Sequence, residues 1–185
     1  MSGRKAVPAV VRWLLRFAPH PVAIGWPERF RSCVGALLGI AFTGGSMHVL
    51  LGADAMIPLL VAPMGASAVL LFGVPASPLA QPWSIIGGNL VSAAVGVACG
   101  IWIADPVQAG ALAVALAICA MFALRCVHPP SGAVALTAVL GGPAIHAMGY
   151  RFILEPIAVQ SFALLTAAIV FHLLTGHRYP HARMQ

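Results

Sequence analysis

Two short stretches combine proline, glycine and small residues within otherwise apolar sequence. Residues 63–68 read PMGASA and residues 130–135 read PSGAVA, and the two share four of six positions. Proline suits the first turn of a helix, and the residue before a proline is pushed out of the α region. We therefore expect helices that begin near Pro63 and Pro130, after an extended Ala62 and an extended stretch at residues 127–129.

The first turn of such a helix can bind an anion. Its amide groups have no acceptor upstream, and the helix dipole adds about half a positive charge at this end. Glycines let a ligand approach the backbone closely, and serine hydroxyls add donors. The alternative is a Pro-Gly kink that serves helix packing only. The predicted anion-binding residues are Pro63, Met64, Gly65, Ala66, Ser67, His128, Pro129, Pro130, Ser131, Gly132 and Ala133.

Three further polar residues, Arg125, Asn89 and His48, are predicted to support these stretches. His128 itself titrates near neutral pH, so it could donate to an anion or carry a proton, or be a structural group. Arg125 would either meet the anion or extend its charge to the membrane surface. Asn89 and His48 are expected to hydrogen-bond to the broken segments, with packing as the more common role of such groups.

The chain offers little to a hydrolase or a metal ion. It has four Asp and Glu residues, and it lacks the H-E-x-x-H, G-x-S-x-G and phosphate-binding glycine motifs. Its cysteines show no CxxC spacing, so we interpret them as small buried thiols. We expect no enzymatic activity, no metal and no cofactor. The four cysteines are Cys33, Cys99, Cys119 and Cys126.

Composition places these residues in a membrane. Of 185 residues 61% are hydrophobic and 8% are charged, against about 25% charged in an average soluble domain. Breaks at Gly, Pro and charged residues leave six apolar segments, and most reach the roughly 20 residues that a spanning helix needs. The fifth is too short to span alone. The segments are 32–52, 55–74, 83–104, 107–125, 129–142 and 155–175.

The distribution of charge predicts the orientation. If all six segments cross and the N-terminus is cytoplasmic, nine of the ten Lys and Arg residues lie on the inner side. The net charge of +6 then needs no nucleic acid as partner. We expect an amphipathic cytoplasmic-face segment at residues 1–25, a membrane domain at residues 26–176 and a cytoplasmic tail at residues 177–185. The expected location is a bacterial inner membrane.

The segments also indicate an internal duplication. The similarity of the two proline motifs extends to Gln81-Pro82 and Glu155-Pro156 in the same order. Each unit then holds three segments, and an odd number of crossings gives an inverted repeat. Re-entrant broken segments would instead give four crossings and a parallel repeat. Small residues at every fourth position of the third segment, from residue 88 to residue 100, predict close helix packing within the chain.

Together, the motif HPPSGA at residues 128–133, the PMGAS motif and the Gly87-Gly88-Asn89 run resemble the HPP family of integral membrane proteins. The resemblance covers roughly residues 26–176. It implies four or more membrane helices and an anion-transporting role, because chloroplast and cyanobacterial members are implicated in nitrite transport. The family motif positions carried over are His128, Pro129 and Pro130, with Pro63, Gly65 and Ser67.

The sequence therefore predicts an all-α membrane bundle of about six segments in two inverted repeats, with half-helices broken by proline. The predicted function is passage of a small inorganic anion such as nitrite across the lipid bilayer, by a channel or a proton-coupled transporter. A homo-oligomer is expected for so short a chain. The alternative function is a membrane assembly or sensor subunit whose Pro-Gly elements serve packing only.

Overall fold

The computed structural model describes residues 9–18, 24–52 and 60–181. These residues form helices joined by turns, with no β-strand among them. Two further segments, Leu15–Phe17 and Pro78–Ala80, are single 3₁₀ turns. The helices are α1 (Ala9–Leu14), α2 (Trp26–Leu51), α3 (Pro63–Ala68), α4 (Pro82–Trp102), α5 (Pro106–Ala123), α6 (Pro130–Leu140), α7 (Gly142–Met148) and α8 (Val159–Leu174).

Four helices of the described residues are long and apolar enough to cross a membrane. They are α2, α4, α5 and the helix Ile153–Leu174, which contains α8. Helices α6 and α7 form a fifth candidate span that bends by 96°. The bend falls where Gly142 takes a φ of +80°, which only glycine adopts readily.

The second apolar segment of the sequence is only partly helical. Helix α3 and the π-helical turn that continues it occupy Pro63–Gly73. At helical rise they extend about 16 Å, which is less than the thickness of a bilayer core. Residues 53–59, which precede it, lie outside the described part of the chain. The all-α bundle is therefore confirmed, whereas six crossings and the inverted repeat stay predictions.

Helix α4 lies at the centre, between α5 and α6, and its small residues allow close packing. A Cβ atom added at Gly96 would lie 2.5 Å from the Ala135 carbonyl oxygen and 2.8 Å from Ala138 Cβ. A Cβ atom at Gly88 would lie 2.8 Å from Ser131 Oγ. The predicted packing of this small-residue face within the chain is confirmed.

Several helices begin or end at the same end of the bundle, which is called here the His172 end. Helix α2 begins there and α8 ends there, since Arg31 Nη1 lies 3.2 Å from His172 Nδ1. Trp83, at the start of α4, donates from Nε1 to the carbonyl of Leu124, which follows α5, at 3.1 Å. Helices α2 and α8, and α4 and α5, are therefore antiparallel pairs.

Large apolar side chains cover the outside of the bundle, as contact with lipid requires. Trp102 and Val49 are each 83% exposed, and Leu174 is 80% exposed. Helix α1 and the turn after it also leave Trp13 and Phe17 exposed. Its placement on the cytoplasmic face stays a prediction.

Replacement of Gly96 by alanine tests the close contact of α4 with α6. We expect Gly96→Ala to lower the free energy of unfolding by about 1–3 kcal/mol, because the new methyl group overlaps backbone atoms. Gly100→Ala is the matched control, since its Cβ would meet only atoms at 3.6 Å or more. Helix propensity favours alanine there by about 1 kcal/mol. Thermal unfolding in detergent measures both, and equal midpoints would contradict the packing.

Candidate functional site

The two interrupted helices begin at the prolines that the sequence indicated. Helix α3 starts at Pro63 and α6 starts at Pro130. The residues before them differ from the expectation, because Ala62 (φ −50°, ψ −37°) and Pro129 (φ −54°, ψ −39°) are in the α region. The predicted extended conformation of these two residues is therefore wrong.

This conformation gives the first-turn amides partners within the chain. The amide of Met64 donates to the Val61 carbonyl at 3.0 Å, and that of Ser131 donates to the His128 carbonyl at 2.9 Å. Gly65 and Gly132 make the same bond one residue later. A tight turn thus satisfies donors that would be costly to leave unpaired in apolar surroundings. The expectation that these amides lack an acceptor is corrected.

His128 joins the two interrupted helices through Ser67. Its Nδ1 lies 2.8 Å from the Leu79 carbonyl oxygen, and its Nε2 lies 2.8 Å from Ser67 Oγ in α3. A carbonyl only accepts, so Nδ1 carries a proton, and in the neutral ring Nε2 accepts from the Ser67 hydroxyl. Both side chains are fully buried. The ring is therefore held in one tautomer and one orientation.

Asn89 connects α4 with α6 and α8. Its Oδ1 accepts from the Ser131 hydroxyl at 2.8 Å, and its Nδ2 donates to Ser161 Oγ at 2.9 Å. All three side chains are fully buried. The sequence predicted that Asn89 would bond to the neighbouring broken segment, and this is confirmed. Ser161 was not predicted, although a polar residue within an apolar helix was the available signal.

A second bond from α8 reaches the start of α3. Gln160 Oε1 accepts from the Val61 amide at 2.9 Å. Gln160 and Ser161 are consecutive, so the starts of α3 and α6 are tied to neighbouring positions of one helix. The two starts therefore lie at a similar depth in the bundle. We call this set of six buried side chains the polar core: Ser67, Asn89, His128, Ser131, Gln160 and Ser161.

Ser92 is a buried polar group of a different kind. Its side chain is fully buried, and its hydroxyl has no hydrogen-bond partner among the residues that the structure describes. It lies on α4 between Gly88 and Gly96, both of which pack against α6. Ser92 therefore faces α6 just beyond the polar core. An unpaired buried hydroxyl costs about 1–3 kcal/mol.

The remaining predicted site residues differ in exposure. Pro63, Met64 and Pro130 are buried, whereas Ala66 and Ala133 are exposed. Gly65 lies beside a cavity of about 340 Å³ at the start of α3, whose walls are Ile40, Leu60, Val61, Ala62, Met64 and Gly65. A Cβ atom at Gly65 or Gly132 would meet nothing within 4 Å, so both backbones are approachable.

Two of the supporting residues lie away from the polar core. Arg125 is exposed after α5, with a φ of 55°, and His48 is exposed on α2. Neither bonds to the polar core within the described part of the chain. The expected bond of His48 to a broken segment stays a prediction, because residues 55–59 of the second apolar segment lie outside the described residues. Cys33 and Cys119 are also exposed rather than buried, because they lie on outward faces of α2 and α5. Cys99 and Cys126 are buried as expected.

The fold and a comparison with known protein families together define the class of this protein. The apolar spans, the lipid-compatible exterior and the buried polar core define an integral membrane protein of helical type. A family model described as HPP, transmembrane region, matches residues 21–180. The chain therefore belongs to the HPP family.

Two relatives from Dictyostelium discoideum are each described only as a transmembrane protein. One is 38% identical over 162 residues, which cover 85% of this chain and 50% of the relative. The other is 40% identical over 149 residues, 76% of this chain and 52% of the relative. The chain thus spans about half the length of these curated relatives. No solved structure matches it.

Serine-to-alanine replacements distinguish the two kinds of buried hydroxyl. We expect Ser161→Ala to lower the free energy of unfolding by about 1–3 kcal/mol, because Asn89 Nδ2 would lose its acceptor. Ser92→Ala removes a hydroxyl without a partner, so it should leave stability unchanged or raise it by about 1 kcal/mol. Thermal unfolding in detergent measures both. A loss of stability in Ser92→Ala as large as in Ser161→Ala would show that Ser92 has a bonding role.

Proposed function

We propose that the protein carries a small monovalent anion, such as nitrite, across the membrane at the polar core. The observation that supports this most is the meeting of two interrupted helices at one depth, joined by fully buried hydrogen-bonded side chains. Polar side chains inside a membrane are costly and typically mark solute pathways. Broken helices whose positive ends point at a substrate are a recurrent transporter design.

The chemistry of the polar core suits weak binding of an anion. Ser67 and Ser131 offer hydroxyl groups, and Asn89 offers an amide group, all beside the positive ends of α3 and α6. None of the six polar core residues is Lys or Arg. Binding without a fixed cation keeps affinity low enough for release.

Transport then requires a change of partners. Each of these donors bonds to another protein group here, so an anion must replace a bond such as that between Ser67 and His128. Separation of α3 from α6 would break that bond and expose the core. In this proposal the anion approaches along α3, where the open cavity beside Met64 and Gly65 adjoins the start of the helix.

His128 offers a means of proton coupling. Leu79 holds Nδ1, so Nε2 is the atom that can accept a proton when Ser67 moves away. The imidazolium would then neutralise the anion beside it. A channel would need no such group, so the proton dependence of flux separates the two mechanisms.

The burial and hydrogen bonding of the polar core also favour a second candidate function. Ser67, Asn89, His128 and Ser131 are all fully buried and bonded to one another or to backbone. Such a core would also serve a membrane assembly or sensor subunit in which these bonds only fix helix packing. This role predicts no solute flux.

The orientation belongs to the same proposal. Three exposed basic residues lie at the His172 end. They are Arg29 in the first turn of α2, Arg125 after α5 and Arg178 after α8. By the positive-inside rule this end faces the cytoplasm, with a bacterial inner membrane as the expected location.

Flux into proteoliposomes tests the transport proposal. We expect saturable, selective uptake among nitrite, nitrate, formate and chloride, and a loss of at least about tenfold in His128→Ala, which removes one buried hydrogen-bonded group. His146→Ala is the control, because His146 is exposed on α7 and bonds to the Val139 carbonyl at 2.8 Å, outside the polar core. Both variants must match the wild type in thermal unfolding or be compared at equal folded amounts. Absence of saturable or selective flux for all four anions would end the transport proposal.

A further inference from the structure

A short segment after α8 reaches across the His172 end of the bundle. This segment, residues 176–181, is called here the strap. Gly176, with a φ of 71°, turns the chain, and His177 Nε2 lies 3.4 Å from Glu28 Oε2 at the start of α2. Tyr179 is 8% exposed, and its hydroxyl donates to the Ala80 carbonyl at 2.7 Å. The strap therefore binds the turn that precedes α4.

That turn is also held by hydrogen bonds of its own and by one from α4, in which Ser84 Oγ donates to the Pro78 carbonyl at 3.0 Å. Within it, the Leu79 amide donates to Ser77 Oγ at 3.2 Å. Gln81 Nε2 donates to the Pro75 and Ser77 carbonyls at 3.0 and 2.8 Å, and Gln81 Oε1 accepts from the His181 amide of the strap at 2.9 Å. The strap thus bonds to the turn at two consecutive residues, Ala80 and Gln81.

The same turn holds His128. Leu79 accepts from His128 Nδ1, and the next carbonyl, that of Ala80, accepts from Tyr179. The two carbonyls belong to consecutive peptide planes of one short 3₁₀ turn, so a displacement of one plane is passed to the next. The position of Tyr179 is therefore linked mechanically to the orientation of the His128 ring and to its bond with Ser67.

We infer that Tyr179 is a positioning residue for His128, acting through the Pro78–Ala80 turn, and that release of the strap loosens the bond between the two interrupted helices. The inference rests on the proposed function for its meaning in transport. The mechanical link can be measured without transport.

The Tyr179 hydroxyl can donate its hydrogen bond throughout the physiological pH range. Burial raises the pKa of its phenol, so the hydroxyl stays protonated at physiological pH. Its ring lies 5.2 Å from the His172 ring, which in turn stacks on Phe72. A phenylalanine at this position would keep the ring packing and lose only the hydroxyl. Ala80 is fully buried, so its carbonyl would then lack a donor.

The native cysteines supply the test. Cys126, two residues before His128, is fully buried, and Cys99 is a buried thiol in α4. In a Cys33→Ser, Cys119→Ser background, the rates of N-ethylmaleimide modification at Cys126 and Cys99 report local and global opening separately. Tyr150→Phe is the control, because Tyr150 is exposed.

We expect Tyr179→Phe to speed modification of Cys126 about tenfold, the effect of one lost buried hydrogen bond, and to leave Cys99 unchanged. Nitrite flux should fall in Tyr179→Phe and remain normal in Tyr150→Phe. Unchanged modification of Cys126, or an equal rise at both cysteines, overturns the inference even if the wild type transports. A selective rise at Cys126 in a protein that shows no flux supports the link and rejects the transport proposal instead.

Discussion

Polar atoms inside an apolar bundle must find partners in the chain itself, and the interior of this protein follows from that requirement. A break in a helix frees backbone groups, and in lipid no water is available to take their place. Here local turns take the first-turn amides of α3 and α6, and side chains from distant segments add further bonds. Gln160 accepts from the Val61 backbone amide before α3, and Asn89 accepts from the Ser131 hydroxyl at the start of α6. The breaks therefore link segments that are far apart in sequence.

These links depend on how closely the helices approach. At Gly88 a Cβ atom would lie 2.8 Å from His128 Cβ and 2.9 Å from the Cys126 carbonyl oxygen. Only glycine permits α4 to lie so near the residues that lead into α6. That distance is what brings Asn89, the next residue, within reach of Ser131. The small-residue face of α4 and the polar core are thus parts of one arrangement.

Local features of the fold could be predicted from the sequence, whereas its pairings could not. Proline and apolar length act within a few residues, so the starts of α3 and α6 and four of the six apolar segments were identified correctly. The conformation of Ala62 was missed, because the bias before proline is weaker than the need of the Met64 amide for an acceptor. The outward direction of Cys33 was missed because apolar segments in lipid bury only one face.

The site shows the same division. Asn89, Ser67, Ser131 and His128 were identified as candidates, because polar residues in apolar segments are visible in one sequence. The partners on distant segments were not identified. Leu79, Gln160 and Ser161 lie 49 to 99 residues along the chain from His128, Val61 and Asn89, the residues that they bind. No local pattern specifies such a pairing. It depends on the tertiary approach of α4, α6 and α8.

The hydrogen bonds of the polar core contribute more to the specificity of the fold than to its stability. Networks of buried hydrogen bonds add little net stability compared with apolar side chains of similar volume, but a fully bonded network fixes one arrangement of its members. Ser92 differs from the six polar core residues, because its hydroxyl has no hydrogen-bond partner in the described part of the chain and so opposes folding. A movement that gave this hydroxyl a partner would offset that cost. Under the transport proposal, the separation of α3 and α6 would be such a movement, because it alters the bonds that now close the core beside Ser92.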